Sequence, residues 1–335
     1  MTASVLRCPA VAMFGIRFDL RNPAFAGVSM ADRYQATLDM SEWADRLGGM
    51  VVGLSEHHGS DDGYLPSPLP MAAAIAARTS TVRINIAALI APFHDPLRLA
   101  EDIAVVDLLS RGRLDLTIAG GYVHDEFAMF DVPMSQRPAR VREAVETLKA
   151  AWAGEPFEFR GRTVQVTPTP AQPGGPKLTL GGSSEAAARR AARIADGFLP
   201  SDPKFWPFYQ EECARLGKPD PGPYLGGSTT VVALAHDPDA GWDACAPYFL
   251  HEMNAYGAWQ AEDDVQTTYW KVNDVDELRA TGHYRVVTPE EYLAELRAAG
   301  PFAFAMFHPM VGGTPPELAW ESLRLFEHEV LPHLG

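Results

Sequence analysis

Residues 50–58 read Met-Val-Val-Gly-Leu-Ser-Glu-His-His, an apolar run that ends abruptly in three polar side chains. Val51, Val52 and Leu54 are the β-branched and apolar residues that a strand buried on both faces requires. Glu56 and the two histidines after it then follow the carboxyl end of that strand. Ligands bind at this end of the strands in parallel α/β folds. The stretch therefore predicts a buried parallel strand that leads into a functional site.

Similar apolar runs recur along the chain, and stretches with helical periodicity separate most of them. This alternation predicts a parallel sheet. Eight runs favour an α/β fold in the form of a single (β/α)8 TIM barrel, because a doubly wound sheet more often has five or six strands and a glycine fingerprint. The predicted strands are residues 11–16, 50–54, 84–90, 114–119, 177–181, 197–200, 229–235 and 302–307. The predicted helices are residues 32–47, 68–78, 96–109, 140–152 and 185–195.

Two stretches do not fit a minimal barrel and are predicted to be insertions after strands 4 and 7. Residues 154–176 alternate apolar and polar side chains around Arg160-Gly161, a pattern that predicts a hairpin. Residues 236–288 are rich in Trp and Tyr. Over a barrel mouth they would form a lid, or their aromatic rings would form a satellite core or a subunit contact. We predict one domain over residues 1–335.

Composition narrows the class of protein. The 335 residues are 47% hydrophobic and 21% charged, as in globular proteins, and no apolar run approaches the ~20 residues of a membrane span. A net charge of −15 disfavours nucleic acid and anionic membranes as partners, because both would repel the chain. Cys8, Cys213 and Cys245 are too few and too far apart to suggest disulfides or a zinc cluster. A reducing, cytoplasmic location is expected.

Gly181, Gly182, Ser183 and Ser184 follow one predicted strand and open a predicted helix. The glycines allow close approach of the backbone, and the helix start offers free amides with a partial positive charge. A phosphate group would be well placed here, with two hydroxyl donors. The same four residues also suit a plain turn followed by an N-cap.

Two other predicted strand ends carry small residues. Ala87 and Ala88 end the third strand, and Gly120, Gly121 and Tyr122 follow the fourth. Small side chains leave room for a flat ligand, and the tyrosine would stack on it or hydrogen-bond to it. The alternatives are small and large residues alternating within a barrel layer, and a tight βα turn.

His57, His58, His94 and His308 all lie at or just after predicted strand ends, hence on one rim. Such a group suggests a metal site or proton transfer. No His-Glu-x-x-His spacing supports a metal, so we predict none and favour proton transfer or polar positioning. A structural role stays open for each histidine. No nicotinamide, P-loop or Gly-x-Ser-x-Gly fingerprint follows a strand.

Taken together, these segments resemble the bacterial luciferase-like flavin monooxygenases. The resemblance covers most of the chain outside residues 236–288, and its motifs occur in the family's order. The matching stretches are residues 42–48 leading into 54–58, residues 92–102, residues 109–113, residues 181–184 through 195–197, and the closing segment 322–332.

The resemblance implies a barrel that binds reduced FMN at the carboxyl ends of its strands and reacts it with O2. A C4a-peroxyflavin, held away from water, would then oxygenate a small organic substrate. It further implies that His57 is catalytic, that Ser183 and Ser184 meet the phosphate, and that a non-proline cis peptide joins Ala87 to Ala88. The predicted cofactor-binding residues are Glu56, Ala87, Ala88, Gly120, Gly121, Tyr122, Gly181, Gly182, Ser183 and Ser184. The predicted substrate-site residues are Phe14, His58, Tyr64, His94, Phe307 and His308.

Gly120 departs from the resemblance, because the luciferase proper has an arginine there near the phosphate. A missing nicotinamide fingerprint suggests a separate NAD(P)H:flavin reductase, and a homodimer is expected. Three alternatives stay open: an F420-dependent oxidoreductase that transfers hydride, a non-catalytic flavin-binding protein, and a metal-dependent barrel hydrolase, which the absent ligand spacing weakens.

Overall fold

The structure is a computed structural model that describes residues 13–224, 226, 230–261, 268–300 and 303–334. Its strands are β1 (Met13–Phe18), β2 (Val51–Leu54), β3 (Arg83–Ile90), β4 (Leu114–Ala119), β5 (Phe157–Phe159), β6 (Arg162–Val164), β7 (Leu178–Gly182), β8 (Gly197–Pro200), β9 (Val231–Leu234), β10 (Tyr284–Val287) and β11 (Phe304–Phe307). Seven of them form a curled parallel sheet in the order β11-β1-β2-β3-β4-β7-β8. The α/β class and the parallel sheet are as predicted.

Helices separate most of the parallel strands. They are α1 (Met30–Arg46), α2 (Pro68–Arg78), α3 (Pro96–Ser110), α4 (His124–Met129), α5 (Arg137–Trp152), α6 (Glu185–Ile194), α7 (Trp206–Arg215), α8 (Pro238–Gln260), α9 (Val275–Ala280), α10 (Pro289–Ala299) and α11 (Pro316–Leu325). All five predicted helices are present. The start of α3 shows why: Asp95 accepts hydrogen bonds from the N–H groups of Leu97 and Arg98, and Pro96 occupies the first helical position.

The carboxyl ends of β2, β3, β4 and β7 lie side by side in the sheet. Leu54 pairs with Ile86, and Ile118 pairs with both Leu89 and Leu180 on its two sides. Whatever follows these four strands therefore reaches one edge, which is the arrangement that the predicted site needs.

Two pairs of strands lie outside the seven-stranded sheet. β5 and β6 form the predicted antiparallel hairpin, with Arg160 and Gly161 at positive φ in its turn. β10 falls inside residues 236–288, where no strand was predicted, and pairs in parallel with β9 as a separate two-stranded sheet. β10 was not predicted because residues 236–288 were assigned to an insertion as a whole. The described strands thus form a seven-stranded curled sheet and two separate pairs.

Residues 236–288 contribute to two different places. The first half of α8, with Trp242 and Phe249, joins Tyr284 of β10 in a satellite core beside the main one. The last turns of α8 carry Tyr256 and Trp259, which pack on the main core instead. Helix α8 therefore bridges the two cores. No helix among the described residues is long and apolar enough to cross a membrane.

Candidate functional site

Glu56 joins the ends of β2 and β3. Its carboxylate is buried, with Oε2 accepting the Ile90 N–H at 2.8 Å and Oε1 facing His58 Nε2 at 2.8 Å and His94 Nε2 at 3.1 Å. Burial alone would raise the pKa of Glu56, but the hydrogen bonds from the two histidines and the Ile90 N–H lower it to about 2. This carboxylate is an ionised anchor rather than a proton donor near neutral pH.

This lowered pKa predicts an acid-sensitive contribution to stability. The ordinary pKa is 4.5 and the folded value is about 2, so ionised Glu56 stabilises the fold fully above pH 4.5 and loses this effect as pH falls towards 2. The integrated effect is about 3 kcal/mol. In urea titrations, the free energy of unfolding of wild type should fall towards that of Glu56→Gln between pH 5 and pH 3. A difference between the two proteins that is constant with pH would contradict this assignment.

His57 is held in one orientation by a residue that sequence reasoning missed. Its Nδ1 lies 2.8 Å from Oε1 of buried Glu126, and the same oxygen accepts the backbone N–H of His58 at 2.7 Å. An ionised Glu126 accepts only, so Nδ1 carries the proton and Nε2 is left facing the Tyr122 hydroxyl at 3.4 Å. The imidazole therefore presents one nitrogen for proton exchange.

Aromatic rings enclose this imidazole. The Tyr64 ring meets it edge-on at 4.8 Å between centroids, and the Trp259 ring lies over it at 4.4 Å. Tyr256 approaches to 6.0 Å and shares a 2.8 Å hydrogen bond with Tyr64. Because these side chains exclude water from His57, electrostatic interactions at this imidazole are stronger than in solvent.

The third strand carries the predicted small residues. The peptide bond between Ala87 and Ala88 is cis, as the resemblance implies, and Ser55 Oγ donates to the Ala87 carbonyl at 2.9 Å. On the neighbouring strand end, Gly121 has a φ of 72°, and a Cβ there would lie 2.9 Å from the Ile90 side chain. Glycine is required at that position by both conformation and space.

The Gly-Gly-Ser-Ser stretch serves partly as a helix cap. The Ser184 side chain accepts the Ala187 N–H at 3.2 Å, so the predicted N-cap is present, and the hydroxyls of Ser183 and Ser184 are exposed. A Cβ on Gly182 would lie 2.4 Å from the Ala187 side chain, so this glycine lets α6 pack closely on its strand. The helix start and exposed hydroxyls offer donors to an anion.

Arg137, which sequence reasoning also missed, supplies a cation beside this region. Its Nη1 donates to the Gly121 carbonyl at 2.9 Å, and a Cβ on Gly120 would lie 3.8 Å from the Arg137 side chain. The strand ends of Gly120 and Gly181 are neighbours, because a Cβ on Gly181 would meet Ala119 at 3.6 Å. Arg137 therefore places a guanidinium group at the turn after β4.

The four predicted rim histidines fall into separate groups. His58 and His94 share Glu56, whereas His57 pairs with Glu126. His308 lies elsewhere, between Asp19 and Glu252, with its Nε2 3.5 Å from the first carboxylate and its Nδ1 3.4 Å from the second.

Asp19, Glu252 and His308 are the one group of potential metal ligands that lie close together in the described part of the chain. The two carboxylates face opposite nitrogens of the imidazole. Burial alone would lower the pKa of His308, but the two carboxylates raise it. The arrangement is that of an imidazolium between two carboxylates.

Two arginines at the end of β1 complete this buried polar region. Arg17 lies near Glu252 and Tyr269, and Arg21 forms an ion pair with Asp62. Arg17 alternates with apolar Ile16 and Phe18, which puts its side chain on the opposite face of β1 and is a sequence signal for it. Arg21 lies beyond the end of the strand, so alternation does not mark it.

Two predicted substrate-site residues lie in the core instead. Phe14 packs on Trp43 and Phe326 with ring centroids 5.8 and 5.2 Å apart, and Phe307 packs on Phe326 at 4.8 Å. Both are buried within the hydrophobic core between sheet and helices. Phe14 and Phe18 alternate with Arg17, so they point away from it. The assignment of Phe14 and Phe307 to the substrate site is corrected accordingly.

Comparison with curated proteins gives relatives in two functional classes. The chain is 32% identical over 142 residues to the oxygenase component of flavin-dependent trigonelline monooxygenase from Acinetobacter baylyi, a match covering 42% of this chain and 39% of that protein. The first curated relatives are matched over about 40% of their length. This chain is also 26% identical over 322 residues to the F420-dependent glucose-6-phosphate dehydrogenase of Microbacterium testaceum. That match covers 89% of this chain and 92% of the dehydrogenase.

Solved structures share the fold over nearly the whole chain. Monooxygenase RslO1 from Streptomyces bottropensis superposes with a TM-score of 0.75 at 27% identity, covering 96% of this chain and 100% of that one. The oxygenating constituent of 3,6-diketocamphane monooxygenase from Pseudomonas putida, in complex with FMN, gives a TM-score of 0.68 at 19% identity and covers 96% and 98%. The family model for luciferase-like monooxygenases matches residues 13–317. This chain therefore belongs to the luciferase-like monooxygenase family.

Proposed function

We propose that this protein is an FMN-dependent monooxygenase built on a single (β/α)8 barrel domain. The observation that carries the proposal is the His57–Glu126 pair, enclosed by aromatic rings at the edge where four strand ends meet. A positioned imidazole in a water-poor setting is suited to proton transfer next to a reactive cofactor.

The residues at this edge fit reduced FMN. Ser183, Ser184, the start of α6 and Arg137 offer donors and positive charge for its phosphate, in a chain whose net charge is −15. Ala87, Ala88 and Gly120 would leave room for the flat ring system. When bound, reduced FMN supplies the activation of O2 and the transfer of one oxygen atom to the substrate.

The chain's own side chains would orient the reactants and manage protons. His57 Nε2 would take up or release a proton, with Glu126 fixing the ring and the Tyr122 hydroxyl donating to the unprotonated Nε2. Tyr256 and Trp259 would act as a lid over His57 from the end of α8. His58 and His94 would position Glu56 and border the substrate site.

Oxygen consumption with reduced FMN tests the proposal. Purified protein mixed anaerobically with reduced FMN and then with O2 should slow flavin reoxidation, and H2O2 should be released more slowly than from free flavin. The same measurement with bovine serum albumin controls for non-specific binding. Reoxidation and H2O2 release at the rates of free FMN would contradict the proposal, and tight retention of flavin at those same rates would favour a storage role.

An F420-dependent oxidoreductase is the second candidate. The match to an F420-dependent dehydrogenase spans 89% of this chain, far more than the match to the trigonelline oxygenase component. A hydride-transferring enzyme would bind F420 and show no effect on oxygen consumption. Titrating the protein with F420 and with FMN, and comparing the dissociation constants, decides between the two cofactors.

The proposal also includes a partner enzyme, a cellular location and an oligomeric state. A separate NAD(P)H:flavin reductase would deliver reduced FMN, and the protein would act in the cytoplasm. A homodimer is supported by Val105, Leu108 and Leu109 on α3, three apolar side chains that are 41 to 52% exposed on one helix. Light scattering of the purified protein should give twice the chain mass of 36.5 kDa.

A further inference from the structure

The polar region beneath the lid contains a guanidinium that the fold leaves incompletely paired. Arg21 is fully buried, and its Nη1 pairs with Asp62, but Nε and Nη2 have no hydrogen-bond partner among the described residues. Arg33 provides an internal comparison. It is equally buried, and its Nε, Nη1 and Nη2 all donate, to Asn22, Thr314 and Gly313.

Unpaired donors at full burial are expensive and therefore uncommon in proteins, unless a ligand or water completes them. Here an unpaired acceptor lies beside them. Oδ2 of buried Asp19 also has no hydrogen-bond partner among the described residues, and it lies 3.8 Å from Arg21 Nε and 3.5 Å from His308 Nε2. A single oxygen between the two would accept from Arg21 and donate to Asp19, which is the hydrogen-bonding capacity of a hydroxyl group.

The surroundings of Arg21 are aromatic. Its guanidinium carbon lies 4.8, 4.7 and 4.5 Å from the ring centroids of Tyr64, Tyr256 and Trp259. The Trp259 ring also contacts the His57 ring, so this group borders the proposed catalytic imidazole. We refer to Asp19, Arg21, Tyr64, Tyr256 and Trp259 as the Arg21 box. Aromatic side chains of this kind favour a ligand with a planar ring that stacks on them.

The charge balance argues against an anionic ligand. Asp62 already pairs with Arg21, Asp19 lies next to it, and Glu252 faces Arg17 and His308. Three carboxylates thus oppose two arginines and an imidazolium. A further carboxylate at Arg21 would face the carboxylate of Asp19 at close range, whereas a neutral hydroxyl would not.

We propose that the Arg21 box binds the substrate, and that the substrate is a neutral, planar phenolic compound whose hydroxyl group bridges Arg21 and Asp19. This inference rests on the proposed function, since it takes the box as the substrate site of the same enzyme. The free nitrogens are sealed from solvent in this structure. A ligand therefore reaches them when Tyr256 and Trp259, at the end of α8, move aside.

Calorimetric titration of the cofactor-free protein with three matched probes tests the inference without requiring oxygenation. The probes are 2-naphthol, 2-methoxynaphthalene, which only accepts a hydrogen bond, and 2-naphthoate, which is an anion. We expect 2-naphthol to bind about tenfold more tightly than the methoxy compound, the value of one satisfied hydrogen bond, and more tightly than the anion.

Two variants assign the effect to residues. Arg21→Lys keeps a charge opposite Asp62 but removes the free donors, so 2-naphthol should bind about tenfold more weakly. Asp19→Asn keeps an oxygen to accept the Arg21 backbone N–H but puts an NH2 donor in place of Oδ2, so it should abolish the preference for 2-naphthol over the methoxy compound. Arg33→Lys, outside the box, should bind all three probes as wild type does, with circular dichroism verifying the fold of each variant.

The outcomes separate the inference from the proposed function. Tighter binding of 2-naphthoate than of 2-naphthol to wild type would overturn the phenolic assignment in favour of an anion. Equal binding of 2-naphthol by wild type and both box variants would overturn the site itself. Either result leaves the oxygen-consumption test with FMN unaffected, and failure of that test alone would leave the phenol-binding site standing.

Discussion

His57→Ala should lower the rate of substrate oxygenation by about a hundredfold or more, the range that a positioned proton-transfer group contributes. Glu126 orients this imidazole, and four aromatic side chains enclose it. Without it, reduced flavin should still bind, because the proposed phosphate contacts lie on other strands. Single-turnover measurements with reduced FMN, following product and H2O2, would show product falling as H2O2 rises.

Glu126→Gln and His328→Ala are the matched variants for this experiment. The amide at position 126 still accepts from His57 Nδ1 and keeps the ring in place but carries no charge, so oxygenation should fall less than in His57→Ala. His328 is exposed, so its substitution should leave the rate of oxygenation unchanged. Wild-type coupling of oxygen to product in His57→Ala would remove that residue from the mechanism.

Gly312→Ala should destabilise the protein by about 3 kcal/mol or more, combining left-handed backbone strain with overpacking. Gly312 has a φ of 57°, and a Cβ there would lie 2.0 Å from the Tyr248 carbonyl oxygen on α8. Neither backbone segment can yield without separating α8 from the loop after β11. Urea denaturation at neutral pH measures the effect.

Gly27→Ala is the control for strain without contact. Gly27 has a φ of 67°, close to that of Gly312, but a Cβ there meets nothing within 4 Å. Its substitution should cost about 1 kcal/mol, from conformation alone. Equal losses in the two variants would show that α8 adapts to the added methyl group and that close packing at Gly312 matters little.

Sequence periodicity was sufficient to predict the alternating strands and helices of the fold. Strand and helix periodicity located all five predicted helices and the hairpin, and the motif order implied the cis peptide at Ala87. β10 was missed because its residues lie within the stretch 236–288, which was assigned to an insertion as a whole. Phe14 was misplaced although Phe14, Ile16 and Phe18 share one face of β1, a pattern that places it with the helices.

The site was only half predictable for a different reason. Glu56 and His57 follow a strand end, so position alone marks them. Glu126 lies 69 residues beyond His57, and nothing local distinguishes it from other acidic helix residues. Arg21 and Asp19 were equally hard to predict. They stand out because they carry buried atoms without hydrogen-bond partners, and this depends on what surrounds them in three dimensions.

The position of helix α8 affects the order in which the protein loses activity and secondary structure on heating. One end is fixed in the small cluster around Trp242 and Phe249, while the other holds Tyr256 and Trp259 over the histidine. Small clusters with few buried side chains open at lower free energy than large ones. Warming should therefore let solvent reach the His57 imidazole while the seven-stranded sheet is still intact, so inactivation would precede the loss of secondary structure.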